Sequence, residues 1–228
     1  YKEFLNQQIK EYKKRVISKN GLVRPNTHFS SMKDHFVKNS STYDNCMLYL
    51  LQQETNNLKL YNPIKNIDYK KLITKKFWNN HYFEEDLTNA ELTGDANVFP
   101  FWTRLIKDKN MFNSVIKHIQ AEKLDQPWPL KYTKENHTGQ ILASIFVPTW
   151  EGDKLWSFLG LYYIETVARF NKPLAKAYLR QYKYHIEKHK NFIELFTKEG
   201  NPYKSIFYKA DHSMLWACKY LHLKSILK

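Results

Sequence analysis

The sequence has little of what would set it apart from ordinary globular chains. Six Gly and eight Pro in 228 residues exclude collagen-like and low-complexity classes. Two cysteines, Cys46 and Cys218, are too few for a disulfide scaffold. Both fall among apolar residues at helical spacing and read as buried, reduced thiols, which favours a cytoplasmic setting. No apolar run approaches the roughly 20 residues of a membrane span. No stretch sustains a period-two pattern of strand length, although Ile141 to Val147 could form a short strand. There is no Gly-rich phosphate loop, no G-x-S-x-G and no cysteine pair with zinc spacing, so neither a metal nor a cofactor is expected. His185 and His189, at i,i+4, lie on a charged helix and read as solvent-exposed. The chain opens on Tyr1 rather than Met and reads as a fragment or a processed product, which leaves an upstream signal peptide open.

What is abundant is apolar, aromatic and basic. Hydrophobic residues make up 43% and aromatics 16%, enough for a sizeable core and too much for disorder. The apolar residues repeat with helical period. Leu5, Ile9, Tyr12 and Val16 mark a helix over about 3–18, and Cys46, Met47, Leu50 and Leu51 one over about 43–60. Further helices are expected over about 66–79, 95–107, 110–122, 154–170, 173–189 and 211–224.

The connections alternate in length. Those at about 19–42, 80–94, 123–153 and 190–210 are long, and those at about 61–65, 108–109 and 171–172 are short. Long loops in compact domains are usually functional. Helix polarity alternates with them. Leu155–Phe170 reads LWSFLGLYYIETVARF and should lie inside, whereas Leu174–Lys190 reads LAKAYLRQYKYHIEKHK and should lie outside. The expectation is an all-α chain of four helical hairpins with every long loop on one face. Such hairpins build a closed α/α toroid or an open solenoid. Roughly 55 residues per hairpin is long for a solenoid repeat, and no repeated motif is evident.

The net charge is +14, from 36 Lys and Arg against 22 Asp and Glu. Lys10, Lys13, Lys14 and Arg15, then Lys70, Lys71, Lys75 and Lys76, then Arg180, Lys183, Lys188 and Lys190 fall on the outer helices. The basic residues go around the outside, which reads as a solvated exterior and not as a nucleic-acid footprint.

The long loops are rich in carboxylates and aromatic rings, the equipment of a carbohydrate site. They hold His28, Asp34, His35, Tyr43 and Asp44; Glu84, Glu85, Asp86 and Asp95; Trp128, Tyr132, His137, Trp150, Glu151, Asp153 and Trp156; and Glu194, Glu199, Tyr203, Tyr208 and Asp211. Each has a plain alternative. Asp44, Asp95, Asp153 and Asp211 stand where helix caps are expected, and the Trp rings could anchor loops.

The run His28-Phe29-Ser30-Ser31-Met32-Lys33-Asp34, followed by Ser41-Thr42-Tyr43-Asp44-Asn45, resembles a segment of glycogen-debranching, amylo-α-1,6-glucosidase-like glycosidases of the six-hairpin (α/α)6-toroid superfamily. Gly94-Asp95-Ala96-Asn97-Val98-Phe99-Pro100-Phe101-Trp102 is similar to an inner-helix entry of these families. Asn191-Phe192-Ile193-Glu194-Leu195-Phe196, with Gly200, Pro202 and Asp211 to Trp216, is similar to their last hairpin. In that family an aspartate in a W-M-D-like context is the general acid, which Asp34 matches through Met32, although Lys33 intervenes and no Trp precedes. A glutamate in an E-x-(F/Y) context is the general base, which Glu194 matches.

The resemblance implies about eight of twelve toroid helices, with residues 1–228 as one domain forming the C-terminal two-thirds of a longer catalytic domain. It implies inverting hydrolysis of α-glucosidic or related linkages, catalysed by Asp34 and Glu194. Tyr43, Asp95, Trp128, Trp150, Glu151 and Trp156 are the expected sugar contacts. The expected partners are a carbohydrate substrate and a missing N-terminal segment or second chain that completes the ring. Two alternatives stay open. One is a non-catalytic basic scaffold for protein or nucleic acid. The other is an N-acylglucosamine epimerase-like enzyme on the same toroid, using His28, His35 and His137.

Overall fold

The computed structural model describes residues 1–27, 37–135, 152–206, 208–212 and 215–228. The strand expected over 141–147 lies outside them. The described chain is mostly helical, with two small two-stranded sheets. In order it runs α1 (Lys2–Val16), β1 (Pro25–Thr27), β2 (Lys38–Asn39), α2 (Thr42–Asn57), α3 (Tyr69–Phe77), α4 (Gly94–Trp102), α5 (Lys109–Ala121), β3 (Leu155–Trp156), α6 (Ser157–Phe170), α7 (Lys172–His189), β4 (Leu195–Phe196) and α8 (Ala217–Ile226).

Side-chain caps explain several of the starts. Ser41 Oγ accepts from the Asp44 amide at 3.0 Å and donates to the Asp44 carboxylate at 2.7 Å, a closed box that begins α2. Asp68, Asp108 and Asn171 cap α3, α5 and α7 in the same way. Two boundaries differ from expectation. Residues 155–156 pair with 195–196 as an antiparallel ribbon, so α6 starts at Ser157. The last helix starts at Ala217, because His212 bridges Ile193 in extended backbone and Asp211 gives its carbonyl to the Glu194 amide.

Burial separates the helices into two kinds. In α4 every residue from Gly94 to Phe101 is buried, and α6 is buried on most of its surface. In α3 only Tyr69, Ile73 and Phe77 are buried, and in α5 only Phe112, Val115 and Ile119, each a single stripe. Helices α2, α4, α6 and α8 touch in that order, and each of α2, α4 and α6 also packs on the one-sided helix that follows it. Helices α4 and α6 run parallel: Phe99 meets Tyr162, and three residues further along each chain Trp102 meets Glu165. The named Lys and Arg of α1, α3 and α7 are all exposed.

The two thiols part company. Cys46 is buried on α2, as expected, but Cys218 is exposed. Helix α8 turns Tyr220, Leu223 and Leu227 inward, which places Cys218 on the opposite face. Leu221 and Ile226 are exposed on α8, so it is apolar on both sides.

Candidate functional site

The N-terminal ends of α2, α4 and α6 are tied to one another by loop backbone. The Thr42 amide donates to Glu85 O, and Glu84 bridges Leu92 just before α4. The Gly94 amide donates to Tyr132 O at 2.7 Å, and the Trp156 amide to Leu130 O at 3.1 Å. The Ser157 amide donates to Glu194 O at 2.9 Å. Parts of all four long connections therefore meet at this end of the helices.

Most loop carboxylates there are spent on structure. Asp44 belongs to the α2 cap. Glu85 pairs with Lys38, and Asp86 accepts from the Asn39, Thr88 and Asn89 amides. Asp153 is no helix cap; it pairs with Lys154 at 2.5 Å and Lys198 at 3.8 Å. Asp211 is exposed and stands six residues before α8, so it caps nothing either.

Two acids differ. Glu194 is half-buried, pinned by its backbone to the start of α6 and to Asp211, and its Oε2 accepts from the Tyr208 hydroxyl at 2.7 Å. Asp95 lies in the first turn of α4, 5% exposed, and its buried Oδ1 has no hydrogen-bond partner. Thr93 Oγ1, two residues earlier, is buried and unpartnered as well. An unpaired buried oxygen is costly, which makes this turn the least satisfied part of the loop end.

The aromatic residues behave differently from a stacking platform. Trp128 is 3% exposed, stacked on His185 at 3.5 Å between centroids and met edge-on by Phe196. Trp156 is 6% exposed, packed between Tyr132 and Phe158. Tyr43 is 7% exposed and sits edge-on against Phe99 at 4.7 Å. All three rings anchor the loop end from beneath. His185 and His189 are half-buried against Trp128 and Phe196, not the exposed pair expected, because α7 turns them toward the segment after it. Asp34, Trp150 and Glu151, with His28, His35 and His137, lie outside the described residues.

One group escaped the sequence reading. Glu165 accepts from the Trp102 indole at 2.6 Å and pairs with Lys219 at 2.5 Å and Arg169 at 3.4 Å. Lys219 also lies over the Tyr162 ring, 4.9 Å from its centroid. Burial alone would raise the Glu165 carboxyl, but the bonds from Lys219 and Trp102 and the charges of Lys219 and Arg169 hold it below the usual range. The signal was there: Glu165 is the only acid in a strongly apolar helix.

Among the described residues no group of three or more His, Cys, Asp or Glu is placed to hold a metal ion, and no helix is long and apolar enough to cross a membrane. No protein-family model matches the chain, and no curated protein matches it.

Proposed function

We propose that the chain is part of an inverting glycoside hydrolase acting on α-glucosidic or related linkages, with Glu194 as general base and Asp34 as general acid. The observation that carries this reading is the setting of Glu194. Its backbone carbonyl accepts from the first amide of a buried helix, and its side chain is half-exposed beside that end. One carboxylate oxygen is oriented by Tyr208, which leaves the other for a water. Asp95, at the matching end of the neighbouring parallel helix, keeps its unsatisfied oxygen buried and so lends this reading no open sugar contact. Trp128 and Trp156 lend this reading no stacking surface and act as supports.

The helix order supports a run of hairpins, inner helix against inner helix, as an (α/α) toroid requires. A groove of about 560 Å³ between α1 and α2, lined by Leu5, Ile9, Tyr12 and Leu51 together with the polar Gln8, Glu11 and Arg15, is the place for a further hairpin from the same polypeptide or a second chain. In the reaction, Asp34 protonates the glycosidic oxygen while Glu194 takes a proton from water attacking the opposite face of the sugar. Inversion requires the two carboxyls about 6.5–9.5 Å apart.

The test uses the complete polypeptide on α-glucosides and dextrin-like oligosaccharides, with the anomer of the released sugar followed by NMR. Asp34→Asn and Glu194→Gln should each lower kcat by about 10²–10⁴-fold and leave sugar binding nearly intact. Undiminished turnover in Glu194→Gln removes Glu194 from the mechanism.

A further inference from the structure

We propose that the chain after α7, residues 190–206 and 208–212, is held to α7 by an acid-labile aromatic clasp, and that protonation of His185 and His189 releases this segment. The inference stands apart from the glycosidase reading, although the segment carries Glu194.

The clasp is made by three stretches of chain that share one ring. The Trp128 indole lies on the His185 imidazole, with 3.5 Å between centroids and 30° between planes. Phe196, from the segment, meets the indole edge-on at 4.9 Å and reaches both imidazoles, at 5.7 Å and 5.9 Å. Gly200, also from the segment, folds over the indole with φ 89°, so closely that a Cβ there would overlap the ring. The segment thus meets α7 at Phe196, whose ring packs on both imidazoles.

Their surroundings cannot accept charge. His185 Nδ1 and His189 Nε2 are buried and have no hydrogen-bond partner. A neutral imidazole can leave a ring nitrogen as a bare acceptor. An imidazolium carries N–H at both nitrogens, so each would bury an unpaired donor. The two rings lie 6.3 Å apart and nearly parallel, so two charges there repel. Among the described residues, the charged or titratable groups acting on the pair are Lys188 on α7 and His212 from the segment, with Tyr184 edge-on against His185. None of these is a carboxylate. Attraction of an imidazolium to the indole favours one ring only and opposes two buried donors and a cationic field.

The direction follows. Burial, then His189 and Lys188, push His185 down from 6.5 to about 4, and burial, Lys188 and His212 lower His189. The released state binds more protons throughout that window. The clasp is therefore fully favoured above about pH 6.5 and weakens as pH falls toward 4, by up to about tenfold per pH unit for each imidazole.

Hydrogen–deuterium exchange tests it, with each rate corrected for the intrinsic pH dependence. The Thr197, Tyr203 and Ala210 amides, which bond within the segment, are the reporters. In the wild type their protection should fall at least tenfold between pH 7 and pH 4.5, while the α4 and α6 amides keep theirs. In the His185→Gln/His189→Gln variant, shown to be folded by circular dichroism, protection should change less than threefold over that range. NMR titration of the wild-type imidazoles gives a second readout, with proton uptake at the midpoint of release. Unchanged protection in the wild type overturns the proposal. So does release of the variant with the wild-type pH profile, or imidazole titration at a pH unrelated to release.

Discussion

The indole nitrogen of Trp102 lies 2.6 Å from the Glu165 carboxylate, joining the last residue of α4 to the middle of α6. The same carboxylate holds Lys219 of α8, so a single acid ties three helices together. Side-chain exposures of 19% for Glu165 and 20% for Lys219 put the pair between surface and core. Glu165→Gln keeps the shape and removes the charge, leaving Lys219 against two rings without its counter-ion. The expected loss is about 2–3 kcal/mol, below the roughly 3–5 kcal/mol for breaking a fully buried pair. Because the native carboxyl is held below its ordinary value of 4.5, its contribution is fully present above that pH and is lost as pH falls through the depressed value. Urea unfolding at several pH values checks both points: wild-type and variant midpoints should differ at pH 7 and converge in acid.

Gly160 sets how closely α7 approaches α6. A Cβ there would overlap the Tyr182 hydroxyl and the Pro129 carbonyl. Through that gap Tyr182 reaches the carbonyls of Pro129 at 2.6 Å and Ser157 at 3.0 Å. Gly160→Ala gains about 1 kcal/mol of helix propensity but overpacks a fully buried contact, at about 1–3 kcal/mol or more. The net effect should be a lower Tm. Tyr182→Phe should also cost about 1–3 kcal/mol, since it removes the buried donor and leaves its acceptors behind. A Gly160→Ala variant more stable than the wild type would mean that the helices separate without loss.

The cysteines give a quick test of the packing. Cys46 is fully buried, and burial, with the nearby Asp44 charge, pushes its thiol well up; Cys218 is exposed on α8. A water-soluble disulfide reagent should therefore modify one thiol per native chain and both after denaturation. Cys218→Ser should remove the fast phase and leave the other. Two fast thiols in the native chain would contradict the placement of α2.

The helices were legible because each of the eight among the described residues presents apolar residues at helical spacing. What periodicity could not supply was pairing between distant stretches. Leu155 and Trp156 continue an apolar pattern into a helix, yet they pair with Phe196 and Leu195 about 40 residues away. Side-chain direction was equally hidden. Cys218 sits among apolar neighbours on a helix that is apolar on two faces, so composition alone gave no sign of which face was buried. At the candidate site, a loop tryptophan offered to a ligand and one that anchors a loop have the same local sequence. Only the burial of Trp128 and Trp156 separates the two. Glu194 was legible as an acid in a long loop, but its orientation comes from Tyr208, 14 residues further on.

That orientation leads to a test of whether Tyr208 acts through Glu194. The Tyr208 hydroxyl fixes one carboxylate oxygen at 2.7 Å, while the backbone of Glu194 is fixed by Ser157 and Asp211. Tyr208→Phe leaves the backbone pins in place and frees the carboxylate to rotate. A hydrogen bond to an ionised group is worth about 1.5–3 kcal/mol, so kcat should fall about 10–100-fold. KM should hold, because no sugar contact is removed. In the Glu194→Gln background the same substitution should cost little more, since its target is already gone, and the two losses should be far from additive. Fully additive losses would assign Tyr208 a role of its own in binding or catalysis. An unchanged kcat in Tyr208→Phe would show that the backbone pins alone orient Glu194.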